Sequence, residues 1–281
     1  MKDITRNNTE HAIFHREKEV PFFTFPPLSH LSYITHGFSS KLGGVSEGYF
    51  SSMNLGFNRG DKEENVTSNY KLIADSIGIP YNQITASDQI HETKIRRITK
   101  EDMGKGIVRK KDYSGIDGLI TNVPNLPLVT YYADCVPLYL VDRKNRAIGL
   151  SHSGWRGTVK RMGRETIRRM EEEFGTKAED LIVEIGPSIC KDCYEVSHDV
   201  YEEFEKVFSL KQMELLFIKK ENKKYQLDLW EANRQIFIEE GVDTENIHCS
   251  QICTCCNSDI MFSHRIHGTE RGTLAAFLML R

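Results

Sequence analysis

The spacing of apolar and polar positions predicts a hairpin in the stretch 126–157. Two apolar runs there flank the polar sequence Asp-Arg-Lys-Asn-Arg, which carries turn chemistry. An antiparallel hairpin with its loop over 143–146 puts His152 opposite Pro137. Cys135 then lies two residues away on the same face, so a thiol and an imidazole can converge on one ion or one substrate atom.

The rest of the sequence contains both helical and strand-like patterns of apolar residues. Apolar residues at helical intervals, closed by glycine in several cases, predict helices over 64–77, 159–174, 197–208 and 229–240. Continuous apolar runs predict strands over 84–90, 181–189 and 273–280, with short strands in 1–35 that include an edge strand at 22–28. The glycine-rich segment 36–61 is expected to be a loop and the charged stretch 92–113 a mobile excursion.

These elements favour an α/β (α+β) fold rather than a purely parallel sheet, because hairpins and helices alternate along the chain. No internal repeat or low-complexity linker is visible in the sequence. We therefore expect residues 1–281 to form a single domain.

Composition excludes several classes of protein. The chain has 281 residues, of which 39% are hydrophobic and 27% charged, and its net charge of −3 gives no general attraction to nucleic acid or to anionic membranes. The N-terminus lacks the apolar core of a secretory signal, and no run approaches the roughly 18 apolar residues of a membrane span. We expect a cytoplasmic monomer or small homo-oligomer, whose seven cysteines are reduced.

His91, Cys135 and His152 form the central candidate site. Two imidazoles and a thiolate are three ligands of a tetrahedron, and the open fourth position is what a catalytic zinc requires. The alternative is structural, because cysteine is often simply buried and a histidine at a strand end often only forms hydrogen bonds. Asp134 could orient one of the imidazoles or bond the amides of a turn.

Candidate substrate-binding residues lie in two segments. The glycine-rich segment contains His36, Lys41, Asn54 and Arg59, whose donors could hold phosphate or sugar hydroxyls, although turn formation alone would explain its glycines. Arg156 follows the hairpin at the start of a predicted helix, where it could bind an anion or form a surface ion pair.

Five further cysteines fall into two groups. Cys190 and Cys193 form a CxxC pair, and CxxC is a common half of a structural zinc site. The group Cys253, Cys255 and Cys256 has CxCC spacing, which we interpret as lacking a matching pair. Separate free thiols are therefore the favoured interpretation for these cysteines.

A series of short motifs extends from about His36 to Arg265: HGFSSKLGGVSEG, NLG with GD, QIH, IDGLIT, YYADCVPLYLVD, IGLSHSGWRG, IGPSICKDCYEV, LDLWEAN and CTCCN with FSHR. Together they resemble the purine nucleoside phosphorylase family formerly labelled multicopper polyphenol oxidase or laccase-domain proteins. The agreement in the order of the motifs is more specific than any one of them.

The resemblance implies a single domain of layered mixed sheets flanked by helices, with zinc held by His91, Cys135 and His152. It implies phosphorolysis of adenosine, inosine, guanosine or methylthioadenosine, and adenosine deamination. Lys41 and Arg156 would then help to position phosphate. The chain departs from the family pattern at Lys41, where arginine is common, and lysine lacks the bidentate guanidinium fork.

Other functions stay open. Cys135 with a histidine base could be the nucleophile of a hydrolase that needs no metal, and some relatives are linked to peptidoglycan-precursor editing. A copper oxidase is less favoured, because multicopper centres need more histidines in HxH-like clusters than these motifs provide. A binding module that holds metal or nucleoside without turnover is the non-enzymatic alternative.

Overall fold

The computed structural model describes residues 10–281, so the expected short strands in 1–35 fall partly outside the described residues. The described strands are β1 (Ile13–Phe14), β2 (Phe22–Thr24), β3 (Ile34–Ser39), β4 (Thr85–Ala86), β5 (Ile95–Arg97), β6 (Gly118–Thr121), β7 (Leu128–Tyr132), β8 (Val136–Asp142), β9 (Ala147–Ser153), β10 (Leu181–Ile185), β11 (Glu195–Val196), β12 (Phe217–Lys219), β13 (Tyr225–Leu227), β14 (Ile247–Cys249) and β15 (Leu274–Leu280).

The α-helices of the same region are α1 (Pro26–Ser29), α2 (Glu63–Ile77), α3 (Trp155–Val159), α4 (Met162–Phe174), α5 (His198–Glu205), α6 (Leu210–Leu216), α7 (Leu229–Glu239) and α8 (His264–His267). Short 3-10 helices lie at Gly48–Phe50, Phe57–Arg59, Tyr81–Gln83, Lys100–Asp102, Ala178–Asp180, Lys191–Cys193 and Thr244–Asn246. Among the described residues, the longest helix has 15 residues and no helix could span a bilayer.

Two mixed six-stranded sheets form the centre of the fold, in the orders β1-β2-β3-β15-β7-β4 and β14-β10-β8-β9-β6-β5. A small third sheet has the order β11-β13-β12. Because side chains alternate along a strand, each large sheet contributes one face to a shared apolar layer, as Tyr139 and Val141 do from β8 and Leu278 does from β15. The structure confirms the mixed α/β fold of layered sheets.

Helices cover the outer faces of the two sheets. Val66, Tyr70 and Ile73 of α2 pack against the outer side of β7 and β15. Met162, Met170 and Ile236, from α4 and α7, pack against the outer side of β8 and β10. The apolar stripe that predicted each helix is therefore the face that it buries.

Most predicted elements are present, with small differences. The helix predicted over 159–174 is divided, because Arg161 adopts a left-handed conformation (φ 62°) between α3 and α4. The predicted edge strand at 22–28 lies inside its sheet between β1 and β3, and it ends where Pro26 begins α1.

The prediction of a strand over 84–90 is largely wrong, and the charged stretch after it makes specific contacts. The expected strand is limited to Thr85–Ala86, because the chain then turns toward a buried carboxylate of the other sheet. The following charged stretch is held in place: the Lys105 ammonium lies 2.8 Å from the Asp102 carboxylate, and the Tyr113 hydroxyl donates to the Ala86 carbonyl at 2.5 Å.

Glu184 is the unusual residue of the layer between the sheets. It lies on β10, is completely buried, and is paired in register with Tyr139. Among residues 10–281, neither of its carboxyl oxygens has a hydrogen-bond partner. Burial therefore raises the pKa of Glu184 well above its ordinary value of 4.5, and the carboxyl is neutral in the folded protein.

Replacing Glu184 with glutamine should remove a pH dependence of stability. Because the folded pKa is raised, wild-type stability falls as pH increases from 4.5 toward that pKa, by about 1.4 kcal/mol per pH unit. Urea unfolding can be measured between roughly pH 5 and 8, the range of maximal stability for many proteins. Over this range the free energy of unfolding of Glu184→Gln should increase relative to that of wild type as pH rises. Exposed Glu221 provides the control Glu221→Gln, and equal slopes for all three proteins would contradict the assignment.

Candidate functional site

The β8–β9 hairpin positions two of the three central residues. Its register pairs Pro137 with His152, as the sequence predicted, and Cys135 immediately precedes β8. The turn is stabilised by Asp142, whose side-chain oxygen accepts the backbone N–H groups of Lys144 and Asn145 at 2.9 Å each. The local sequence therefore fixes where this thiol and this imidazole lie.

His91 reaches the hairpin through Asp117. One Asp117 oxygen accepts the backbone N–H of His91 at 2.9 Å, and the other accepts those of Ile90 and Glu92 at 3.0 and 3.1 Å. The same carboxylate lies 3.0 Å from Nδ1 of His152. Asp117 is fully buried and thus connects the backbone around His91 with the ring of His152.

The three predicted ligands come together. Their ligand atoms all lie within 4.8 Å of one another, and the rings of His91 and His152 are 4.8 Å apart at an interplanar angle of 76°. A tetrahedral zinc with bonds of about 2.0–2.3 Å places its ligand atoms roughly 3.3–3.8 Å apart, so small side-chain movements would suffice. Because Asp117 holds Nδ1 of His152, the Nε2 atom is available to an ion.

The charges of Cys135 and His152 are coupled. Burial opposes ionisation of the thiol, but the adjacent His152 and His91 outweigh it and lower the pKa of Cys135 to about 6. Burial likewise opposes protonation of His152, but Cys135 and Asp117 raise its pKa to about 9. Without an ion, the pair is therefore a thiolate beside an imidazolium near neutral pH.

A cavity of about 690 Å³ opens onto the three residues. Its walls carry more basic than acidic side chains, and part of one wall comes from the charged stretch that the sequence predicted to be mobile. The charged residues of the walls are Arg59, Arg109, Lys110, Lys111, Arg271, Glu63 and Asp88. Lys111 lies 2.5 Å from Asp88 and is neutralised by it.

Three guanidinium groups lie in the cavity walls, and Arg59 and Arg271 differ from Arg109, whose Nη atoms donate to the Met103 and Glu101 carbonyls. Burial and the nearby Arg59 lower the pKa of Arg271 to about 10. Within the described chain, Nε of Arg271 is buried and has no hydrogen-bond partner, while its Nη1 donates to the Gly272 carbonyl at 2.9 Å. Two adjacent cations, one with an unused donor, favour a bound anion. The sequence singled out Arg59 but not Arg271, which stands alone near the C-terminus.

Two of the predicted substrate residues lie inside the fold, away from the cavity walls. His36 is buried, and its Nε2 accepts the backbone N–H of Phe25 at 2.8 Å. Asn54 is also buried and bonds the backbone of Gly56 and Thr273, along with Asp61. These polar atoms already have protein partners.

The other two predicted substrate residues face elsewhere. Lys41 lines a different cavity, together with His267 and Glu270, and its ammonium donates to the Ser258 carbonyl at 2.6 Å. Arg156 is exposed on α3, where its guanidinium lies 4.3 Å from the Trp155 ring. Neither contributes to the walls around the three ligands.

The cysteine groups differ from the expectation of separate thiols. The sulfurs of Cys190, Cys193, Cys253 and Cys256 all lie within 4.8 Å of one another. The sequence did contain this signal, because Cys253 and Cys256 are themselves three positions apart and so form a second CxxC pair inside the CxCC run.

Asp134 forms long-range hydrogen bonds rather than the turn contacts or the imidazole contact that the sequence left open. Its backbone is left-handed (φ 88°), and its carboxylate accepts the Thr254 hydroxyl at 2.6 Å and the Arg265 backbone N–H at 2.7 Å. The residue that orients an imidazole is instead Asp117, which the sequence contained within the IDGLIT motif.

Comparison with known proteins finds relatives that carry the name purine nucleoside phosphorylase. The chain is 35% identical to a purine nucleoside phosphorylase of Bacteroides thetaiotaomicron, over 94% of this chain and 97% of that protein. It is 34% identical to the purine nucleoside phosphorylase YlmD of Bacillus subtilis, over 87% and 88% of the two chains.

Solved structures share the fold. The hypothetical protein YfiH of Bacillus licheniformis superposes with a TM-score of 0.89 at 31% identity, covering 95% of this chain and 99% of that one. YlmD of Geobacillus stearothermophilus gives a TM-score of 0.88 at 31% identity, covering 96% and 99%.

The family model described as multi-copper polyphenol oxidoreductase laccase matches residues 35–281, which is most of the chain. This match agrees with the family that the sequence motifs indicated and with the relatives above. The chain therefore belongs to this laccase-like family, whose curated members include proteins named purine nucleoside phosphorylase.

Proposed function

We propose that this protein is a zinc-dependent purine nucleoside phosphorylase that acts on adenosine, inosine, guanosine or methylthioadenosine. The observation that carries the proposal is the juxtaposition of a three-ligand centre with a basic cavity in one site. The names of the relatives support the same activity. The cavity volume also falls within the roughly 300–1,000 Å³ typical of small-molecule sites.

His91, Cys135 and His152 would hold the zinc. Two nitrogens and one sulfur are a donor set that suits zinc, and three protein ligands leave a position for reactant. When bound, the zinc supplies Lewis acidity at the floor of the cavity. A multicopper centre is less favoured, because this cluster offers only two histidines among the described residues.

Arg59 and Arg271 would bind phosphate. In phosphorolysis, a phosphate oxygen forms a bond to the anomeric carbon of ribose while the bond from that carbon to the purine breaks, so the site must neutralise phosphate and face a cationic sugar. A dianion between the two guanidinium groups would relieve their repulsion and use the free Nε of Arg271. We prefer this pair over Lys41 and Arg156, because the latter two lie outside the cavity.

Aromatic walls suit the purine. Phe57, Tyr131 and Tyr132 border the cavity, and aromatic faces attract flat bases with little regard to their substituents. This is consistent with a range of purine nucleosides as substrates. The proposal includes adenosine deamination, in which water rather than phosphate is the nucleophile and C6 of adenine is the target.

The activity itself is the first test. Purified protein incubated with inosine and phosphate should yield hypoxanthine and ribose 1-phosphate, and omission of phosphate should abolish the sugar phosphate. Adenosine should also yield inosine if the deaminase activity is present. Chromatography of the products, with Cys135→Ala as the inactive control, measures both reactions. Nucleoside binding without any product would favour the non-enzymatic alternative.

The phosphate assignment is tested by Arg59→Gln and Arg271→Gln. Loss of a charge-assisted contact of about 1.5–3 kcal/mol should raise the KM for phosphate roughly 10- to 100-fold and change the KM for nucleoside much less. Steady-state kinetics with each substrate varied in turn separates the two effects. Lys41→Ala and Arg156→Gln are matched controls that also remove a cation, and a larger phosphate effect in either of them would overturn the assignment.

A cysteine hydrolase is the second candidate, because a thiolate beside an imidazolium is an activated nucleophile. The two functions differ in their need for metal. Activity that survives complete removal of metal by a chelator would favour the hydrolase, whereas activity restored only by added zinc would favour the phosphorylase.

The thiolate can be measured directly in metal-free protein. The rate of Cys135 alkylation by iodoacetamide should rise through a midpoint near pH 6 rather than near the ordinary thiol value of 9.0. Mass spectrometry can follow Cys249 in the same sample as an internal control, since burial raises the pKa of that thiol. His152→Ala should move the Cys135 midpoint upward, and an unchanged midpoint would contradict the coupling.

A further inference from the structure

The second group of cysteines lies on two loops that meet beside the two large sheets. Cys190 and Cys193 follow β10, and Cys253 and Cys256 follow β14, which pairs with β10 in parallel. Because neighbouring parallel strands end at the same edge of a sheet, their following loops come together. We call these residues the four-cysteine cluster; none of them borders the cavity described above.

The sulfurs lie at separations that a single tetrahedral ion can accommodate. The Sγ atoms of Cys193 and Cys256 are 3.4 Å apart, those of Cys190 and Cys256 are 3.9 Å apart, and all four lie within 4.8 Å of one another. Zinc–sulfur bonds of about 2.3 Å place the sulfurs of a tetrahedron roughly 3.8 Å apart. The observed separations bracket that value.

The backbone near the cluster also suits a bound thiolate. The N–H groups of Cys190 and Cys256 both point at Sγ of Cys253, at 3.3 and 3.4 Å. Two amide donors on one sulfur stabilise negative charge there, as hydrogen bonds from the surroundings do for metal-bound thiolates. Cys190 and Cys253 are fully buried, so an ion would be largely shielded from water.

We propose that the four-cysteine cluster holds a structural zinc ion. Two CxxC pairs with tetrahedral S4 geometry are typical of closed zinc sites, in which every coordination position is occupied by protein. A four-iron cluster would require the sulfurs to be further apart, because each would bind a different iron. Two disulfides are disfavoured because Cys256 lies close to both Cys190 and Cys193, so the sulfurs share one centre and do not separate into pairs.

The ion would stabilise the turn that carries Cys135. The backbone N–H of Ile189, between β10 and the cluster, donates to the Asp134 carbonyl at 3.0 Å. The hydroxyl of Thr254, on the loop after β14, donates to the Asp134 carboxylate. Both loops therefore touch Asp134, whose left-handed backbone immediately precedes Cys135. An ion that joins the loops would thus fix the position of Asp134 and, through it, of Cys135 in the three-ligand centre.

A short bridge also joins the two loops. Ser188 pairs with Cys253, and in this bridge the Ser188 N–H donates to the Ile252 carbonyl while the Thr254 N–H donates to the Ser188 carbonyl, each at 3.1 Å. A zinc ion would add metal–sulfur bonds at this junction and take the place of apolar packing that short loops cannot supply. Loss of the ion should therefore lower stability as well as metal content.

The test uses the full-length Cys135→Ala protein, in which the predicted catalytic site is disabled. Purified from zinc-containing medium, it should retain about one zinc ion per chain by elemental analysis, because the closed site still has its four ligands. The double variant Cys193→Ser/Cys256→Ser in the same background should lose that zinc. Cys249→Ser is the matched control, since it removes a cysteine outside the cluster and should leave the zinc unchanged.

A second measurement covers the case in which the double variant does not fold. Cobalt bound to the Cys135→Ala protein should give the intense sulfur-to-metal charge-transfer absorption of a thiolate site, and removal of the ion by a chelator should lower the Tm. Absence of metal from Cys135→Ala, zinc retained by the double variant, or disulfides in place of free thiols would each overturn the proposal. Because the readouts are metal content and stability, they are independent of whether the protein cleaves nucleosides.

Discussion

The site depends on one buried carboxylate. Asp117 accepts three consecutive backbone N–H groups, from residues 90–92, and contacts Nδ1 of His152. Burial alone would favour its neutral form, but the protonated His152 and the backbone donors lower the pKa of Asp117 below its ordinary value. A charge in this position stabilises the left-handed backbone of His91 and the orientation of the His152 ring at the same time.

This constraint explains how distant parts of the chain form one centre. The β8–β9 hairpin brings Cys135 and His152 together through its own register, whereas His91 comes from a segment that begins on the opposite sheet. The short strand β4 ends after two residues because the chain must leave that sheet to reach Asp117. The packed sheets thus supply rigidity, and the irregular segment between them supplies the third ligand.

Negative groups lie at the base of the cavity and positive groups lie in its walls. The Cys135 thiolate lies at its floor and Asp117 is buried beneath it against His152, while the guanidinium groups of Arg59 and Arg271 lie in its walls. Lys111, another cation of the walls, is neutralised locally by Asp88. An anion bound beside an apolar, flat group complements both features, because the anion neutralises the guanidinium groups and the flat group covers the aromatic walls.

The sequence by itself determined the elements whose interactions are local. The turn before Ala147 fixed the hairpin register, and helical periodicity with a closing glycine fixed α2, since these signals depend on neighbours within a few residues. Tertiary structure alone decided the partners of Asp117, the position of Arg271 in the cavity and the meeting of the two cysteine loops. Those contacts join segments separated by tens to hundreds of residues, and they depend on how the sheets pack, which no local pattern of residues specifies.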